Sequence, residues 1–116
     1  MQHSIDLDIV LVNKINSAKT LVDKAKKSFN TENSKKKTLA LAYINEASSF
    51  ISVAEAVYYS QFDILMRNDY EDLFNDFHNL VNAIFDAYDK NFTITENNKF
   101  FVAFENSYEP FSKIKI

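Results

Sequence analysis

The sequence predicts an all-α protein, an antiparallel up-down four-helix bundle with unequal helices, and three observations carry that expectation. The 116 residues include no Gly and one Pro, where average usage would supply ~8 glycines. Without the positive φ that Gly provides, tight hairpins and phosphate-cradling loops are disfavoured. Apolar residues recur at alternating spacings of four and three in four stretches, the period of a bundle helix. The polar breaks between those stretches are short, which makes consecutive helices antiparallel neighbours. No sheet is expected, and a single helical domain spans 1–116.

The first helix is expected over about 5–29. Ser4 stands where an N-cap would, with Asp6 and Asp8 in the first turn, where the helix dipole favours acids. Leu11, Ile15, Ala18, Val22, Ala25 and Phe29 form its seam, and Asn30–Asn33 the first turn. The second runs from Ser34 with no breaker before Asn68, giving about 34–67 and a length of ~50 Å at 1.5 Å per residue. A domain of this size has a radius of gyration of ~13 Å, so this helix either bends near 45–52, where Ser48, Ser49 and Ser52 cluster, or makes the molecule a rod. Its apolar arc, from Leu39 through Tyr43, Ile44, Ala47, Phe50, Ile51, Ala54, Val57, Tyr58, Phe62, Ile64 and Leu65, is wide enough to touch two neighbours.

The third helix, about 70–90, has the cleanest amphipathic pattern. Tyr70, Phe74, Phe77, Val81, Ile84 and Tyr88 step along one side, beside Leu73 and Leu80, and Asn75, Asn79, Asn82 and Asp86 line the other. The fourth, about 95–109, follows the Thr93–Glu96 capping box and is expected to stop at Pro110. Phe100, Phe101, Phe104 and Tyr108 form its stripe, with Val102 pointing away and a non-helical tail after it.

Composition excludes several chemistries. With no Cys there is no disulfide, thiolate nucleophile or Cys-ligated centre. The two histidines, His3 and His78, lack the Glu three residues earlier that a di-iron bundle requires, and two isolated imidazoles do not make a zinc site. No metal and no cofactor are expected. The sole Arg, Arg67, is eleven positions from His78 across an expected turn, so the Arg–His arrangement of small helical ribonucleases is missing. Asp72 and Asp76 lie one turn apart on a solvated arc, where carboxylates titrate normally and make poor general acids. The expectation is therefore a protein that is not an enzyme.

Charge is unevenly placed. Lys14–Lys37 contains eight lysines against Asp23 and Glu32, a local +6, while 38–109 carries a local −9. In an up-down bundle one pole would gather Lys24, Lys26, Lys27, Lys35, Lys36 and Lys37. The other would gather Asp6, Asp8, Asp63, Asp69, Glu71, Asp72 and Asp76. Lys35, Lys36 and Lys37 sit at the dipole's unfavourable end, which makes the Lys24–Lys37 pole a candidate anion or nucleic-acid site, although a net charge of −3 with one Arg argues against nucleic acid. An acidic, Asn-rich polar face on the third helix argues against a membrane surface, no apolar run is long enough to span a bilayer, and a cytoplasmic location is expected.

Two further classes remain. In one, the chain is a non-enzymatic protein–protein interaction or assembly module, whose partner is another protein or a second copy in a homodimer. The candidate interface is built from apolar residues that the core does not absorb: Ile9, Val10, Leu41, Tyr59, Met66 and Val102. In the other, the 15% of aromatic residues surround a core cavity for an apolar small molecule, although the AT-rich codon signature, with twelve Lys to one Arg, accounts for much of the Phe and Tyr. In size and architecture such a chain resembles inhibitor, immunity and adaptor proteins of mobile elements.

Overall fold

A computed structural model describes residues 3–29, 34–61, 68–90 and 98–113, with side chains from Ile9 in the first helix and from Lys35 in the second. Four helices follow in order: α1 (His3–Phe29), α2 (Ser34–Ser60), α3 (Asn68–Asp89) and α4 (Lys99–Ser112). Among the described residues there is no strand. Each helix touches its two sequence-cyclic neighbours, and among the described residues the diagonal pairs do not meet, so the chain forms an up-down-up-down four-helix bundle. Its extents of 51 × 22 × 21 Å and radius of gyration of 14.8 Å make it elongated, of the two forms expected for a long second helix.

The most extensive contact joins α1 to α2, and small side chains explain it. Along α2, Ala40, Ala47 and Ala54 alternate with Ile44, Ile51 and Tyr58, all fully buried. Along α1, Leu11, Ile15, Ala18, Val22, Ala25 and Phe29 do the same, as the sequence predicts. Alanine every seventh residue lets two helix backbones approach closely while the larger residues interlock between them. The α2–α3 and α1–α4 interfaces are sparser in contact, and at one end rings fill the space. Tyr58 lies 5.2 Å from Tyr70 and 5.9 Å from Phe74, centroid to centroid, and Tyr70 lies 5.1 Å from Phe111.

Several boundaries differ from expectation. Helix α1 opens at His3, so Ser4 lies within its first turn. Helix α2 spans Ser34–Ser60 with a turn at Gln61, and the rest of the expected stretch to 67 lies outside the described residues. The Gln61 N–H donates to the carbonyls of Val57 and Tyr58, and the Ser60 hydroxyl donates to the Val57 carbonyl at 2.9 Å, a tightening that closes the last turn. No break interrupts α2 at 45–52; there the hydroxyls of Ser48 and Ser49 donate to the carbonyls four residues back. Helix α4 starts at Lys99, four residues later than expected, because Asn98 caps it by accepting from the Phe100 N–H at 2.9 Å. The Thr93–Glu96 box and the Asn30–Asn33 turn lie outside the described residues.

Pro110 does not end α4, which continues to Ser112. Proline removes one helical hydrogen bond, but Phe111 is fully buried against Tyr70. The tertiary contact holds the turn that local propensity would release. The stripe of α3 is also rotated from the expected one: Leu73, Leu80 and Ala87 are buried with Tyr70, Phe74, Phe77 and Ile84, whereas Val81 is half-buried and Tyr88 exposed.

Candidate functional site

Lys24, Lys26 and Lys37 of the basic pole, and Lys14 and Lys19 further along α1, make contacts within the bundle. Lys14 and Lys24 on α1 place their ammonium groups 5.5 and 5.8 Å from the ring centres of Phe50 and Tyr43 on α2, and these contacts cover the two rings at the outer edge of the hairpin. Lys26 pairs with Glu105 of α4, and Lys19 pairs with Asp23 at 2.7 Å while lying over the Tyr108 ring. Lys35 and Lys36 are exposed, but Lys37 is 96% buried with its ammonium 6.0 Å from the centre of Phe29. The reason is register. Lys37 falls seven residues before Ile44 and occupies the same core-facing position as Ile44, Ile51 and Tyr58. The expected Lys35–Lys36–Lys37 anion site therefore loses its third member to the core.

The acidic side is similarly engaged. The Tyr58 hydroxyl donates to Glu71 at 2.9 Å, and the Ser107 hydroxyl donates to Asp76. Asp69, Asp72 and Asp76 line an open groove of about 430 Å³ between α3 and α4, with Ala103, Asn106, Ser107 and Pro110. A second groove, of about 450 Å³ between α1 and α4, has Lys19, Asp23, Lys26, Lys27, Glu105, Tyr108, Glu109 and Ser112 in its walls. Its two signs of charge balance locally. His78 is exposed and bonds Glu55 of α2 at 2.9 Å, a structural tie between helices. No group of three or more potential metal ligands occurs among the described residues. Two phenols are shifted upward. Tyr108, which donates to Asn16 at 2.6 Å, is raised by burial and then by the Asp23 carboxylate. Tyr59 is raised by burial and then by Glu71 and Glu55.

The six expected interface residues do not form one patch. Ile9, Val10, Tyr59 and Val102 are exposed, Leu41 is half-buried against the core, and Met66 lies outside the described residues. Val102 sits on α4, diagonally across from α2, and so faces away from Leu41 and Tyr59. Tyr59 packs its ring 5.0 Å from Tyr58 and 6.3 Å from Phe74, as a fringe of the aromatic core.

A different surface stands out. Leu39, Ala42, Glu46, Ser49, Val53 and Ala56 are all exposed, on the side of α2 opposite its buried seam, and Leu39 and Val53 keep 46% and 44% of their surface. From Thr38 to Ser60 the helix carries only two charged residues, Glu46 and Glu55. The exposed side of α3 is the contrast: Asp72, Asn75, Asn79, Asn82, Asp86 and Asp89. Leu39 was expected within the core arc, but α1 and α3 approach α2 from its inner side and leave this residue outside. The signal was present in the sequence as a second run at spacings of three and four, 39–42–46–49–53–56, parallel to the buried run 40–44–47–51–54–58.

Among the described residues, no helix is long and apolar enough to cross a membrane. No family model, curated protein or solved structure matches the chain.

Proposed function

We propose that this chain is a non-enzymatic protein–protein interaction module and that its working surface is the outer face of α2. The observation that supports this reading is the near-absence of charge on an exposed helix face. A helix at the surface of a bundle ordinarily opposes an apolar stripe with charged and polar residues, as α3 does, and one that is hydrophobic all round is buried; α2, with polar but almost no charged residues outside, stands between the two. Exposed apolar residues mean little singly; Leu39, Ala42, Val53 and Ala56 share one line at coiled-coil spacing with Glu46 and Ser49 between the two pairs, a line along which another helix can lie.

Photo-crosslinking tests the reading. A benzophenone side chain at Val53 in the cells that make the protein is expected to give discrete protein adducts, and the same group at Asn79 on α3 is expected to give none. Equal yields from the two positions, or no adduct from Val53, would refute it.

A further inference from the structure

We infer that a second copy of this chain covers the outer face of α2, the two α2 helices packing antiparallel about a two-fold axis between Ala47 and Ser48. This rests on reading that face as an interface, and two observations carry it further. The first is self-complementarity. With that axis, Leu39 lies level with Ala56 of the partner subunit, Ala42 with Val53 of the partner subunit, and Glu46 with Ser49 of the partner subunit. Each large apolar residue meets a small one, the packing that lets helices approach closely, and each carboxylate meets a hydroxyl rather than its own symmetry mate. An isologous contact requires one patch to complement itself in this way. A parallel pairing would place Glu46 against Glu46 and Ala42 against Ala42, joining like charges and leaving gaps.

The second observation is at the helix ends. Helix α2 has no acidic residue in its first turn and no basic residue in its last, and it carries Lys35 and Lys36 at its positive end. An antiparallel copy reverses this arrangement. Lys35 lies level with Ser60 of the partner subunit, beside the negative end of that helix, where cations are favoured. The lysine-bearing ends fall at opposite ends of the pair, so like charges stay apart along its length.

Cysteine pairing on the purified full-length chain decides the matter, because the native chain has no Cys and every disulfide is reportable. Ala42→Cys and Val53→Cys chains are mixed under reduction and then oxidised. The expected product is the mixed 42–53 disulfide dimer, at least tenfold above the dimer from either variant alone, since symmetry holds identical positions eleven residues apart. Sedimentation equilibrium of the native chain is expected to show twice the 13.4 kDa monomer mass, and Val53→Lys is expected to return it to monomer with its helical circular dichroism unchanged. Equal crosslinking of single and mixed variants would overturn the axis, and a native chain that stays monomeric at millimolar concentration would overturn self-pairing. If the chain is monomeric yet Val53 captures another protein by photo-crosslinking, the module reading stands and the second copy is excluded. If neither occurs, both fall.

Discussion

The α1–α2 seam and the aromatic end around α3 solve the same packing problem with opposite materials. Where Ala18, Ala25, Ala40, Ala47 and Ala54 line the contact, the backbones come close and little volume remains to be filled. Where Tyr58, Tyr70, Phe74 and Phe111 meet, helices stand apart and rings occupy the gap. Both are packed to crystal-like density and resist added volume, but the alanine seam has little volume to lose and the aromatic end has much.

The largest expected effect lies on the aromatic side. Phe77→Ala empties a fully buried site against Phe104, 5.8 Å away, and should cost about 3–5 kcal/mol in chemical denaturation. A loss under 1 kcal/mol would mean that this region closes up as the alanine seam does. On the other side, Ala54→Leu should overpack the α1–α2 contact at about 1–3 kcal/mol, while Ala56→Leu, two residues on and exposed, should stay within about 0.5 kcal/mol at concentrations where the chain is monomeric. Equal melting temperatures for the two leucine variants would refute the close approach.

Lys37 sharpens the comparison, since it occupies the first turn of the close seam. Lys37→Glu places a carboxylate in a buried site facing the Phe29 ring and should cost about 1–3 kcal/mol. Lys36→Glu at the exposed neighbour should be neutral or gain about 0.3–1 kcal/mol from the helix dipole. Thermal melts of the pair separate a core lysine from a surface one. The smallest effect is electrostatic. The Tyr108 phenol is raised in the folded state, so its contribution is fully present below the unfolded value of about 10. It is lost as pH climbs from there through the folded value, because the unfolded chain ionises first. Between pH 9 and 11, Tyr108→Phe should therefore lose less stability than the native chain.

The inward seams were legible because heptad spacing states which residues share a side: every residue of the α1 seam, and Ala47, Ile51 and Ala54 on α2, are buried as the pattern requires. What was not legible was where the apolar arc of α2 stops, since Leu39 belongs by pattern to the arc and is exposed. Leu39 and Ile44 are alike in apolarity, and only the positions of α1 and α3 distinguish them. The same limit applies to Lys37, whose charge argues for solvent while its register argues for the core. Pro110 does not stop α4 because the local rule takes no account of the nonlocal burial of Phe111. The candidate interface does not hold as a group for a related reason: apolar residues left over from three separate helices need not be neighbours, and Val102 is not.

The unequal closeness of the interfaces also orders the molecule in time. Two helices zipped along an alanine seam form one cooperative unit, and α3 with α4, joined to it through sparser contacts, forms another. Native-state hydrogen exchange should then show two protection tiers, with the amides of α3 and α4 opening at lower free energy than those of α1 and α2. The expected opening parts the two hairpins, with the exterior of α2 held while the other half loosens.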